Sequence, residues 1–195
     1  TLFYCLARDP AWQDRLRDRN AGLEAELGAR LAEVERLRDA TLFVMVSFAE
    51  FRDEDTGNHV KRTQEYVRAL AEHLARDPTY AAQLDTRTID EISKSAPLHD
   101  IGKVAIPDDI LLRPGRLDEA EFEVMKTHAM HGWEMLRRAA QRMGGQASFL
   151  NYAMEIARHH HERWDGSGYP DGLAGDAIPL SARLMAVADV YDALI

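Results

Sequence analysis

Between residues 16 and 48, side chains recur in alternating steps of four and three: Leu16, Asn20, Leu23, Leu27, Arg30, Val34, Leu37, Thr41, Val44 and Phe48. Seven of these ten positions are apolar and the stretch holds no proline. That spacing predicts one long helix whose seam can pair with another in a coiled coil. Asn20 falls at an a position, where a polar side chain can fix register and strand number. The competing reading is a single amphipathic helix laid on its own domain. Gly22 and Gly28 weaken the helix by about 1 kcal/mol each relative to alanine.

Beyond this seam the pattern shortens. Residues 55–76 read as a helix ended by Asp77-Pro78, residues 80–84 as a short turn of helix, and 89–98 as a helix that Pro97 kinks or tightens at its last turn. Residues 101–115 form a connector broken by Pro107 and Pro114-Gly115. Asp118 caps the next helix, with Glu121 three residues on as in a capping box, and that helix runs to about Arg142. Gly144-Gly145 breaks the chain. Residues 148–161 are helical, 163–179 make a glycine-rich loop, and Ser181 caps a last helix still running at Ile195. No alternating strand pattern of useful length occurs, so the expected fold is all-α: a helical bundle preceded by the long N-terminal helix.

A chain of 195 residues, 46% hydrophobic and 29% charged, reads as one main globular domain. No apolar run approaches the roughly 20 residues of a membrane span. Residues 1–6 are apolar but lack a basic n-region, so they are not a signal peptide and read as the tail of something preceding. The lone cysteine, Cys5, excludes an internal disulfide framework and a cysteine-based zinc site, and it suits a reducing cytosol. The net charge of −9 argues against binding a nucleic-acid polymer. It leaves room for a small anionic substrate, because bound metal ions can be the largest local charges in a site.

The candidate chemistry centres on Leu98-His99-Asp100-Ile101-Gly102-Lys103. Adjacent imidazole and carboxylate donors suit a hydrolytic metal ion such as Mn, Fe or Zn. One such dipeptide is ordinarily a polar turn; the positions of the other histidines change that. Of the eight, His59 follows Asp55 by four residues and would share a helix face with it. His128 lies in the helix after Asp118, and His160 and His161 are adjacent. Asp189 lies in an apolar stretch where a lone carboxylate is costly without a partner or a metal. Each taken singly is ordinarily a surface or satisfied core residue; together they offer a full ligand set from separated segments. Successive helical residues point about 100° apart, so His160 and His161 reach one cluster only over a helix end, or else bind different ions. His131 and His73 read as surface residues.

His59, His99-Asp100, His128, His160-His161 and Asp189, in this order, resemble the HD-GYP branch of the HD phosphohydrolases. The naming tripeptide stands as Gly168-Tyr169-Pro170, and the resemblance covers about residues 42–195. It implies an HD-type bundle over 49–195, a linker and coiled-coil dimerisation helix over 1–48, and a cyclic di-GMP phosphodiesterase yielding pGpG, with the choice between pGpG and GMP as end product left open. It further implies that these seven residues bind two divalent ions, Fe or Mn, with Asp100 bridging them. Asp100 and Lys103 are the implied catalytic residues, Lys103 neutralising charge at the scissile phosphate. Lys103, Tyr169 and Asp192 are the implied substrate contacts, Tyr169 at a guanine. His159 is left a supporting or structural role. A third ion would use Asp55, where the family often has glutamate; aspartate is shorter by one C–C bond, about 1.5 Å. The resemblance also implies a receiver domain before the long helix, as in response regulators, and a basic phosphate-gripping segment after Ile195. Two alternatives stay open: a hydrolase of another cyclic dinucleotide or nucleotide phosphate, and a non-enzymatic module that binds diguanylate cyclases or adaptor proteins.

Overall fold

The long helix forms where its period predicts it. In the computed structural model, which describes residues 10–50, 58–144 and 148–195, helix α1 runs unbroken over Pro10–Glu50. The chain divides into two compact units, Thr1–Val44 and Met45–Ile195. In the first, the seam residues Leu23, Leu27, Val34 and Leu37 are all more than half exposed, so nothing within that unit covers them.

The second unit is a bundle of helices. Helix α2 spans Asn58–Leu74, α3 Pro78–Ala81 and α4 Thr86–Ser95. Helix α5 spans Asp108–Leu111, α6 Glu119–Arg142, α7 Ser148–His159 and α8 Leu180–Leu194. Among the described residues there is no strand; a single isolated bridge joins Asp165 and Ala174. None of the described helices is long and apolar enough to cross a membrane.

Each start has a local cause. Asp77 caps α3 by accepting from the Thr79 amide, with Pro78 in the first turn. Asp85 caps α4 through the Thr88 amide. Asp118 and Glu121 form the predicted reciprocal capping box of α6. Ser181 does not cap α8. That helix starts one residue earlier, after Pro179 and without a side-chain cap, and the Ser181 hydroxyl donates to Glu155 of α7 at 2.5 Å.

The core gathers Val67 and Ala71 from α2, Ile92 from α4, Ile156 from α7, and Met185 and Ala188 from α8. All are at most 2% exposed, and burying a side chain such as Ile92 or Ile156 contributes about 1.5–3 kcal/mol. Helix α2 packs on α4 and α8, while α7 packs on α4, α6 and α8. Two short 3₁₀ elements position the chemistry, the first of them the tightened turn expected at Pro97. A 3₁₀ turn, Ala96–Leu98, absorbs Pro97 just past the end of α4. A second, Ile101–Ala105, lies against α6 where a connector was expected. This second contact is very close: a Cβ on Gly102 would stand 2.0 Å from the His128 carbonyl oxygen and 2.4 Å from the Gly132 amide nitrogen.

Candidate metal centre

Five segments deliver the predicted ligands to one place. His59 lies in the first turn of α2, His99 and Asp100 sit between the two 3₁₀ turns, His128 projects from α6, and Asp189 from α8. His160 and His161 lie just past the last residue of α7. There the chain has left the helix, so both reach the same cluster, resolving the choice the sequence left open.

The donor atoms form two groups, Asp100 with His128, His160 and His161, and His59 with His99 and Asp189; within each, the donors lie within 4.8 Å of one another. Asp100 faces both. Its Oδ1 is 3.3 Å from His128 Nε2 and 3.5 Å from His160 Nε2. Its Oδ2 is 3.3 Å from His99 Nε2. Asp189 Oδ1 lies 3.6 Å from His59 Nε2 and 4.0 Å from His99 Nε2.

Whether the residues fit metal ions is answered by their unmet hydrogen bonds. The Nε2 atoms of His99, His128 and His160 and Oδ1 of Asp100 are buried without a hydrogen-bond partner among the described residues. Leaving a buried polar group unpaired costs about 1–3 kcal/mol, and here four such atoms converge. The opposite ring nitrogens are fixed: Nδ1 of His99 donates to Ala96 O (3.1 Å), that of His128 to Met125 O (2.7 Å) and that of His160 to Ile156 O (2.9 Å). A neutral imidazole that donates from Nδ1 keeps its Nε2 lone pair for a ligand. The group fits two divalent cations.

The electrostatics agree. Burial works against charge on His99, yet the carboxylates of Asp100 and Asp189 overcome it and raise its pKa to about 9. Burial pushes His128 down to about 4, with the neighbouring His160 adding to the effect. Burial also drives His161 down, reinforced by His160 and His128. Asp100 stays ionised despite burial because His99 and Lys103 lie beside it.

The groups open onto a cleft of about 430 Å³ lined in part by Lys103, Met125 and Tyr169. Lys103 Nζ lies 2.9 Å from Asp100 Oδ2. The Tyr169 ring stacks on His161 at 4.7 Å between centroids. Asp192 is also at the cleft, but its side chain is 3% exposed and paired with Arg62 and His59. His159 bonds Asp171 at 3.0 Å, a supporting role; His73 and His131 are exposed. Asp55, Cys5 and residues 1–6 lie outside the described residues.

Two contributors escaped the sequence reading. Glu162, buried, accepts from the amides of Asp171 and Leu173 at 2.8 and 3.0 Å and so pins the glycine-rich loop that carries Tyr169. Gly168 is needed where this loop folds back: a Cβ there would lie 2.3 Å from the Arg163 nitrogen. Arg62 is the other; its place three residues after His59, on the same helix face, is the one signal that pointed to it.

The HD domain profile matches residues 51–195. Over 183 residues the chain is 54% identical to a probable cyclic di-GMP phosphodiesterase of Vibrio cholerae, covering 94% of this chain and 42% of that protein. It is 43% identical over 182 residues to the cyclic di-GMP phosphodiesterase response regulator RpfG of Xanthomonas campestris, covering 93% of this chain and 44% of that protein. It is 42% identical over 175 residues to 3'3'-cGAMP-specific phosphodiesterase 2 of Vibrio cholerae, covering 90% and 31%. The chain thus spans less than half the length of each of these relatives.

Proposed function

This chain belongs to the HD domain family, as an HD-GYP-like member, and on that ground we propose that residues 49–195 hydrolyse cyclic di-GMP in the cytosol. The observation that carries this reading is Asp100, whose two carboxylate oxygens face two separate donor groups. The nitrogen and oxygen donors suit Fe or Mn. When bound, two such ions would supply an activated water and stabilise the attacking and leaving oxygens of an in-line displacement. Asp100 holds the two positions in register, and the histidines fix the geometry through their backbone-anchored rings.

Lys103 acts on the substrate. Its ammonium lies beside Asp100 and meets the non-bridging phosphate oxygens as their charge builds. Tyr169, held against His161, offers its ring to a guanine. Addition of water to phosphorus breaks one ring P–O bond and gives linear pGpG; a second hydrolysis gives GMP. An interaction that strengthens in the transition state lowers kcat when removed, whereas uniform binding mainly raises KM. Lys103→Ala is therefore expected to keep metal and fold and to lose kcat by at least about tenfold, roughly 1.4 kcal/mol. Wild-type turnover in that variant refutes the assignment.

The relative named for 3'3'-cGAMP supports a second substrate reading. Side-by-side kinetics with both cyclic dinucleotides, products identified by mass, decide it. Cyclic di-GMP is expected to give a kcat/KM at least about tenfold higher, or roughly 1.4 kcal/mol; equal or reversed values transfer the proposal to the other substrate.

Helix α1 pairs two chains in parallel and, on the resemblance to response-regulator members of the family, follows a receiver domain. The exposed heptad seam supports the pairing. Replacing Leu27 and Val34 together by lysine sets charges in that seam and is expected to yield monomers with the metal unit still folded. Light scattering that finds the parent monomeric at high micromolar concentration contradicts the pairing.

A further inference from the structure

Four of the candidate ligand histidines have an identified partner at Nδ1. For His99, His128 and His160 it is a backbone carbonyl. For His59 it is the carboxylate of Asp192, at 2.7 Å. Asp192 is held in turn by Arg62, whose Nε donates to Oδ1 at 2.6 Å and whose Nη2 donates to Oδ2 at 2.8 Å. The Asp192 side chain is 3% exposed and both its oxygens are engaged, while Arg62 is 44% exposed.

An ionised carboxylate only accepts hydrogen bonds. The 2.7 Å contact therefore puts a proton on His59 Nδ1 and leaves Nε2 as the donor atom toward Asp189 and His99. A carboxylate behind a ligating histidine fixes the ring and raises its basicity more than a carbonyl does. Arg62 holds that carboxylate in place and offsets its charge.

We propose that Asp192 is a positioning residue for the His59–His99–Asp189 metal position, with Arg62 as its anchor, and does not contact the substrate. The inference rests on the two-metal reading above and sets the two positions apart. One is supported by carbonyls behind His128 and His160; the other has a charged relay reaching from α2 to α8.

Mn²⁺ affinity measured by chelator competition, with metal counting, tests this. Asp192→Asn keeps the size and an acceptor but loses the charge. It is expected to weaken one of two bound ions by about 10–100-fold and leave the other unchanged. Arg62→Gln, a change at a half-exposed position that keeps the carboxylate, is expected to weaken the same ion by a smaller factor. In a His59→Ala background Asp192→Asn should cause no further loss, because the relay then ends on nothing. Two ions held at parental affinity in Asp192→Asn, with KM raised, overturn the inference and return Asp192 to the substrate. A parent that binds only one ion overturns both this inference and the two-metal reading.

Discussion

Asp100→Ala is expected to leave a folded protein that has lost most of its metal and at least about a thousandfold of its turnover, roughly 4 kcal/mol in barrier. The size follows from the position of its two oxygens. Oδ1 faces His128 and His160, and Oδ2 faces His99, each at 3.3–3.5 Å. No other carboxylate among the described residues spans both donor groups. Removing it leaves the first group with histidines alone, and three neutral imidazoles hold a divalent cation without any compensating anion. It also removes one partner of Lys103, whose Nζ stands 2.9 Å from Oδ2. Metal analysis checks the prediction, and retention of full metal content in Asp100→Ala refutes the bridging role.

Gly102→Ala is expected to cost at least about 3 kcal/mol of stability, at or above the upper end for overpacking. The added methyl would meet backbone at 2.0 and 2.4 Å, where no side chain can turn aside. Either α6 or the turn carrying Asp100 and Lys103 must move, so the same change also degrades the metal site. Gly132 faces this contact from the other side, but its own added Cβ would meet nothing closer than 3.3 Å. Gly132→Ala also gains about 1 kcal/mol of helix propensity, so its net effect should be small. Thermal unfolding of the metal-free variants should show a drop of at least about 6 °C for Gly102→Ala, at 2–4 °C per kcal/mol, and little change for Gly132→Ala. Equal melting of both contradicts the close-approach account.

Much of this was legible in the chain because the signals are local or chemical. The α1 seam follows from a fixed period, and the α6 start from a capping pair three residues apart. The candidate ligands stood out because histidine and aspartate carry the needed donors whatever their surroundings. What escaped depends on partners distant in sequence. Ser181 looks like a cap, yet its hydroxyl is taken by Glu155, 26 positions earlier. Arg62 and Asp192 are 130 positions apart, and nothing local ties one to the other. The short elements at Ile101–Ala105 and Asp108–Leu111 have too few residues to show a period, and the first is stabilised by packing on α6.

The central claim, a two-metal phosphodiesterase, is tested most directly by counting metal and identifying the nucleotide product on one purified sample given cyclic di-GMP. About two Fe or Mn ions per chain, with conversion to pGpG or GMP that a chelator abolishes, is the predicted result. A sample with two ions bound and no hydrolysis of cyclic di-GMP or of 3'3'-cGAMP contradicts the claim and makes the domain a binding module.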